Sequence, residues 1–159
     1  MSCSDEQNPA FIGSLGIVRR YVDETEEWLT IWDEIEEVCK LIQADRTEEE
    51  TFRDCLHKNL EAELSLNAKK DYIISGLSMA HHQAPIEWPG EETPQWVIVQ
   101  FFPIQLYGQA ARDKVDRLPD VQWLTLSEIA KGCSTEGKPF DEKQRLLIER
   151  ADLIPAYLK

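Results

Sequence analysis

The sequence lacks the features of a secreted or membrane-spanning protein. Its four cysteines, at positions 3, 39, 55 and 133, form neither a C-x-x-C pair nor a zinc-like cluster. It has no signal peptide and no apolar run of about 18 residues. These absences predict a reduced, cytoplasmic protein in which Cys39 and Cys55 are small core residues.

Positive charge is also scarce. The chain has 17 basic against 30 acidic residues, a formal net charge of −13. This charge opposes non-specific binding to DNA, RNA or an anionic membrane, so we expect neither nucleic acid nor membrane as a partner. A free polyphosphate would be repelled as well, unless a local basic pocket or a metal ion offset the field.

The composition otherwise predicts a folded domain. The 159 residues are 42% hydrophobic and include five tryptophans, which is enough for a substantial core. Residues 1–10 are polar and without periodicity, and we interpret them as a flexible N-terminus. Residues 11–159 are expected to form one domain that ends in an amphipathic helix over about 141–152, with Asp141 as its N-cap.

The segment from Thr47 to Leu66 predicts a long amphipathic helix. Its apolar residues recur along one side at positions 52, 55, 56, 60 and 64. Thr47 and Glu50 have the spacing of a capping box, and Asn67 is a candidate for the left-handed residue after the helix. The stripe predicts that this helix covers a sheet.

Several segments predict the strands of that sheet. Residues 15–22 and 28–32 suit an antiparallel hairpin in which Trp28 and Trp32 share one face, and the apolar run 96–106 suits a central strand. Further strands are expected at 38–44, 72–79 and 121–126, and a loop at 80–94. A helix over 107–118 should turn residues 110, 111, 115 and 118 inward.

The helix resembles the Nudix box, G-x5-E-x7-R-E-U-x-E-E-x-G-U, where U is a bulky aliphatic residue. With Glu50 as the first glutamate, Lys58 and Asn59 replace Arg-Glu, Ala62 and Glu63 replace Glu-Glu, and Ser65 replaces the second glycine. The opening glycine falls on Ala44. The string Trp-Leu-Thr-Leu-Ser-Glu-Ile at 123–129 is similar to the end of a Nudix domain, and this resemblance implies that the last strand enters a helix capped by Ser127. The resemblance covers about residues 15–129 and implies an α/β/α sandwich with a mixed sheet.

The resemblance also implies an activity and shows where the sequence departs from it. Nudix enzymes hydrolyse nucleoside diphosphate derivatives with Mg²⁺ or Mn²⁺ held mainly by carboxylates that here correspond to Asn59, Ala62 and Glu63. Of these three carboxylates only Glu63 is retained, so Glu63 is a vestigial catalytic and metal-binding candidate. Glu50 is the second catalytic candidate. If each missing group costs ~10²–10³ in rate, little hydrolysis would remain. No cofactor is therefore certain, and Mg²⁺ or Mn²⁺ is expected only if the protein is active.

Other residues are candidates for ligand contacts. Because Arg19 and Arg20 are adjacent on a strand, we expect at most one of them to face the cleft, and a surface ion pair is the alternative. Arg46 lies near the start of the helix, where anions are favoured. Trp32 is a candidate for stacking on a base, or else a core residue. Lys58 and Asn59 complete this set.

The sequence leaves three functions open. The first is a nucleotide-sensing or protein-binding module with a degraded metal site. The second is a metal-dependent pyrophosphohydrolase that combines Glu63 with Glu49, Glu50, Glu61 or acids of the 33–37 loop. The third is a purely structural partner domain.

Overall fold

A computed structural model describes residues 11–159 of the chain. The predicted flexible N-terminus and Cys3 lie outside the described residues. The strands are β1 (Phe11–Val22), β2 (Thr25–Asp33), β3 (Val38–Lys40), β4 (Ile42–Asp45), β5 (Tyr72–Ile74), β6 (Ala80–Ile86), β7 (Gln95–Leu106) and β8 (Val121–Thr125). The helices are α1 (Phe52–Leu64), α2 (Gly108–Asp116), α3 (Leu126–Lys131) and α4 (Glu142–Arg150), followed by a 3-10 turn at Ala156–Leu158.

The sheet is mixed, and its strand order is β3-β2-β1-β7-β5. β1 runs parallel to β7 from the pair Phe11 and Val97 to the pair Val18 and Ile104. The other strand pairings are antiparallel, with β4 on β1, β6 on β7 and β8 on β2. The apolar run of β7 is thus central, as the sequence predicts, because a strand covered on both faces needs apolar residues throughout.

Two apolar cores lie on opposite faces of the sheet. The core on one face contains Trp28 and includes side chains of α3 and α4. The core on the other face contains Leu29 and the buried side chains of α1 and α2. Adjacent residues of β2 therefore serve different cores, as alternation along a strand requires. This arrangement confirms the mixed α/β fold and the predicted hairpin.

The structure corrects several boundaries. The predicted loop at 80–94 contains β6, which pairs with β7 over seven residue pairs; exposure alternates along β6, and Pro85 is tolerated near its end. β5 spans only three residues, and the strand predicted at 38–44 is interrupted at Leu41. Ala110 is exposed because Ala111 and Val115, four residues apart, form the buried stripe of α2. Thr125, not Ser127, caps α3, in a capping box with Glu128.

The interruption at Leu41 is filled by a side chain from α4. The backbone N–H of Leu41 donates to Oε1 of Gln144 at 2.7 Å, and Nε2 of Gln144 donates to the carbonyl of Leu41 at 3.3 Å. Nε2 also donates to Oε1 of Gln43 at 2.9 Å. This buried amide ties α4 to the strand segments that precede α1. Within residues 11–159, no helix is long and apolar enough to cross a membrane.

Candidate functional site

Helix α1 is shorter than the sequence predicts. It begins after Thr51, whose hydroxyl accepts a hydrogen bond from the N–H of Asp54 at 3.0 Å. The predicted cap at Thr47 is wrong because Thr47 and Glu50 bond to each other in the preceding turn, with the hydroxyl donating to Glu50 Oε1 at 2.6 Å. The last residue of the helix is Leu64, and Ser65 directly after it adopts the left-handed conformation with φ 54°. The prediction that Asn67 is this left-handed residue is therefore also wrong.

The apolar stripe of α1 agrees with the prediction. Cys55, Leu56, Leu60 and Leu64 are buried, and Phe52 is half-buried. The hydroxyl of Ser14, on β1, donates to the carbonyl of Phe52 at 2.6 Å. Packing and this hydrogen bond together fix the first turn of α1 on the sheet, and residues 58, 59, 62 and 63 of the helix lie beside β4.

A groove of about 440 Å³ lies between α1 and β4. We call it the helix groove. It is lined by Gln43, Ala44, Asp45, Glu50, Cys55, Lys58, Asn59, Ala62 and Glu63. Four candidates from the sequence, namely residues 50, 58, 59 and 63, thus lie in one place. The sequence did not identify Gln43 and Asp45 as site residues. Their position directly before the turn that leads into α1 could have indicated them.

Glu50 is held by an ion pair with Lys58 and by hydrogen bonds from the hydroxyl and the N–H of Thr47. Lys58 Nζ lies 2.7 Å from Glu50 Oε2, and the Thr47 hydroxyl bonds to Oε1. These contacts, with Lys58 the larger cause, lower the pKa of Glu50 to about 2. The same pair raises the pKa of Lys58. Near neutral pH Glu50 is therefore an ionised carboxylate that is already paired with Lys58, which is unsuitable for a general acid or base.

Asn59 is engaged with β4. Its Nδ2 donates to the carbonyl of Gln43 at 2.9 Å. Its Oδ1 is buried and accepts no hydrogen bond from the residues that the structure describes. A buried acceptor without a partner is costly, so a donor on a bound molecule would stabilise this position.

The groove does not provide a good metal site. Ala62 has no donor atom, Asn59 presents its amide N–H₂ to Gln43, and Glu50 is paired with Lys58. Glu63 is exposed. Across residues 11–159, no three His, Cys, Asp or Glu side chains are grouped so that they could hold a metal ion. Because Mg²⁺ requires several oxygen ligands in near-octahedral array, the donor set does not fit it.

Trp32 lines a second groove of about 420 Å³, which we call the tryptophan groove. It shares Gln43 and Glu63 with the helix groove, so the two are adjacent. Trp32 is only half-buried, and Lys138 Nζ lies 5.6 Å from the centre of its ring. One face of an aromatic ring is thus near a cation, a combination that suits a nucleotide.

The arginine candidates occupy different places. Arg46 donates through Nε to the carbonyl of Glu50 at 2.7 Å, and its Cζ lies 4.9 Å from the centre of the Phe52 ring. Arg46 therefore stabilises the turn before α1. Arg19 and Arg20 both line a cavity that shares no lining residue with either groove. Both lie where β1 parts from β7, and Arg20 packs over Trp123 of the cavity wall. Because side chains alternate along a strand, the side chain of Arg19 points to the other face, in agreement with the expectation that at most one of the two faces the cleft.

Comparisons with known proteins identify the fold. Neither protein-family models nor curated proteins match the sequence. Solved structures do match: an Ap4A hydrolase from C. elegans has a TM-score of 0.57 at 12% identity, and the alignment covers 94% of this chain and 98% of that one. NrtR from Shewanella oneidensis has a TM-score of 0.58 at 14% identity; 89% of this chain aligns with 61% of NrtR. A mutT/nudix family protein from Listeria innocua has a TM-score of 0.54 at 14% identity, covering 92% and 94%.

These similarities show a Nudix-like fold. The comparisons support the fold alone, since sequence identities of 12% and 14% are too low to transfer an activity to this protein. The resemblance of the α1 segment to the Nudix box is thus matched by the three-dimensional architecture.

Proposed function

We propose that this protein is a Nudix-like domain that binds a nucleotide-type small molecule across the helix and tryptophan grooves and hydrolyses it poorly or not at all. The observation that carries the proposal is the face of α1 that carries residues 58, 59, 62 and 63. There one exposed carboxylate, Glu63, accompanies an amide, a methyl group and a lysine paired with Glu50.

Binding is supported by the side chains that the two grooves combine. Trp32 offers a ring for stacking, and the buried Oδ1 of Asn59 can accept a hydrogen bond from an amino or hydroxyl group. The Nudix domain of NrtR, which has a TM-score of 0.52 at 14% identity, was crystallised with ADP ribose. A nucleotide-type ligand therefore agrees with the fold, and Trp32 and Asn59 suit the nucleoside part of such a ligand.

Weak hydrolysis is supported by the donor set. Nudix-type catalysis depends on several carboxylates that hold Mg²⁺ against the phosphates, and positions 59 and 62 lack them. The net charge of −13 does not favour DNA or RNA as a ligand. Sensing of a nucleotide, with the signal passed to a protein partner, is the role that a binding domain without turnover would serve.

One observation favours a second candidate function. Asp45 and Glu50 line the helix groove together with Glu63, although within residues 11–159 these three carboxylates are not grouped closely enough to hold a metal ion as they stand. If Glu50 exchanged Lys58 for a metal ion, the groove would become a non-standard metal site and the protein a pyrophosphohydrolase. This candidate requires that the ion pair between Glu50 and Lys58 be broken.

A binding and turnover assay separates the two. ADP ribose is titrated by calorimetry with EDTA and again with Mn²⁺, and release of AMP is followed by chromatography. We expect binding in EDTA, and a loss of at least about fivefold in Trp32→Ala, since stacking on an aromatic ring contributes ~1–3 kcal/mol. Trp96→Ala, at a tryptophan outside both grooves, is the matched control.

Two results would reject the proposal. One is the absence of binding without metal. The other is turnover near ~1 s⁻¹ that disappears in Glu63→Ala, which would establish the hydrolase.

A further inference from the structure

A cluster of arginines lies away from both grooves. A cavity of about 600 Å³ is lined in part by Arg19, Arg20, Arg53, Arg112, Asp116 and Trp123. We call it the arginine cavity. Its walls come from β1, β5, β7, β8, α1 and α2. It has no lining residue in common with the helix groove or the tryptophan groove.

The cavity opens where two parallel strands part. β1 and β7 stay paired through Val18 and Ile104. Beyond that point β1 pairs with β2, while Gln105 and Leu106 of β7 pair with β5. A crevice at the carboxyl ends of parallel strands that diverge is a common place for ligands in α/β proteins.

Two of the arginines are held in position by the protein. Arg53 donates through Nε and Nη2 to the carbonyl of Ile74, at 3.1 and 2.8 Å. Arg20 pairs through Nε with Glu27 at 2.7 Å, and its Cζ lies 4.3 Å from the centre of the Trp123 ring. Guanidinium groups that are already ordered lose less conformational entropy when they bind an anion.

The cavity is positive although the protein is strongly acidic. Its lining includes four arginines and one acidic residue, Asp116, which accepts a hydrogen bond from Trp123 Nε1 at 3.3 Å. Glu27 neutralises Arg20 in part. Within residues 11–159, the side chains of Arg19 and Arg112 make no hydrogen bond or ion pair. At ~0.1 M salt the screening length is about 10 Å, so a bound ion interacts chiefly with this lining and not with the distant acidic surface.

We propose that the arginine cavity binds a small molecule that carries a di- or triphosphate group. Guanidinium groups match phosphate oxygens in planar, bidentate pairs, and several arginines suit a ligand with more than one phosphate. The volume lies within the range of small-molecule sites. Ile73, Ile104 and Leu106 provide an apolar wall for an organic remainder such as a base.

This site is independent of the proposed function, because it shares no residue with the grooves. The local basic pocket also supplies the condition under which an acidic protein can hold a polyphosphate. The ligand chemistry has two sources, an inorganic polyphosphate and a nucleotide.

Calorimetric titration of the full chain with sodium tripolyphosphate and with ATP, in EDTA at about 50 mM salt, tests the proposal. The test variant is Arg20→Gln with Arg112→Gln, at the arginine that packs over Trp123 and at the arginine of α2 in the lining. The control is Arg117→Gln with Arg150→Gln, at two exposed arginines outside the cavity. Both double variants have the same net charge, and circular dichroism checks that both fold.

We expect the test variant to bind at least about tenfold more weakly, because hydrogen bonds to charged groups are lost, and the control to stay within about twofold of wild type. ATP that binds more tightly than tripolyphosphate would identify a nucleotide as the ligand source, and equal affinities an inorganic polyphosphate. Either result supports the site.

Three results would overturn the proposal: no binding of tripolyphosphate or ATP to the wild type, an equal loss in both double variants, or a loss in Trp32→Ala with none in the test variant. The last would place the phosphate in the grooves. Conversely, an affinity for ADP ribose that is unchanged in Trp32→Ala would reject binding in the grooves without affecting the proposal for the arginine cavity.

Discussion

Lys58 Nζ lies 2.7 Å from Oε2 of Glu50, and this ion pair joins the middle of α1 to the turn that precedes the helix. The Lys58 side chain is 74% exposed and that of Glu50 only 10%. An exposed cation, Lys58, is therefore paired with a nearly buried anion, Glu50, at the edge of the helix groove. This pair gives the first prediction.

Replacing Lys58 by methionine should raise the pKa of Glu50 from about 2 towards its usual 4.5, in part only, because Thr47 still donates to it. The lowered pKa means that the pair stabilises the fold above pH 4.5 and that this contribution is lost as pH falls through about 2. NMR titration of the Glu50 carboxyl carbon measures the shift. Lys69→Met, at an exposed lysine beyond α1, is the control; an unchanged pKa in Lys58→Met would contradict the role of the pair.

Leu60→Ala should reduce the free energy of unfolding by roughly 2–5 kcal/mol, since Leu60 is fully buried on the side of α1 that packs against the sheet. Glu63→Ala, three residues further and exposed, should cost less than ~1 kcal/mol. Urea denaturation measures both. Similar losses at the two positions would mean that Glu63 has a structural role that its exposure does not indicate.

Asn59→Glu with Ala62→Glu restores carboxylates at positions 59, 62 and 63, which share a face of α1. The apo variant should be less stable than the parent, because the new carboxylate at position 59 would face the carbonyl of Gln43 in place of an amide donor. Mn²⁺ should then raise its melting temperature much more than that of the parent. Calorimetry with and without Mn²⁺ measures this difference.

The control for that double variant is Gln109→Glu with Ala110→Glu, which adds two carboxylates on the exposed side of α2. An equal response to Mn²⁺ in both would show that positions 59, 62 and 63 do not converge on one metal.

Ser65→Gly should stabilise the protein by about 0.5–1 kcal/mol. Ser65 has φ 54°, a left-handed conformation that glycine adopts without a steric penalty, and it stands where the Nudix box has a glycine. Ser65→Val should destabilise it, because a β-branched side chain fits this conformation poorly. Thermal and urea unfolding measure both changes, and a destabilised Ser65→Gly would indicate that the serine side chain has a role of its own.

Much of the fold was predictable because long apolar patterns leave few alternatives. The alternation at Trp28, Leu29 and Trp32 indicated a strand that serves two cores, and the run at 96–106 indicated the central strand. β6 was not predictable in the same way. Its residues are mostly exposed on one face, and its pairing depends on the backbone edge of β7, which the local sequence does not encode.

The helix groove was partly predictable from spacing, since positions 50, 58, 59 and 63 follow from the box alignment. The pairing of Glu50 with Lys58 was not, because it depends on the turn at Thr47 ending before the helix begins. The arginine cavity was missed for a different reason. Its arginines come from β1, α1 and α2, and only the divergence of β1 from β7 brings them together.

The amide of Gln144 acts on the backbone of Leu41 as a neighbouring strand would, with one acceptor and one donor. The two residues are 103 positions apart, so this contact closes a very long loop. We expect it to form after the folding transition state, with a φ-value near zero for Gln144→Leu in stopped-flow experiments. The strand segments beside the grooves would then be the last part of the sheet to become rigid on folding and the first to loosen on unfolding.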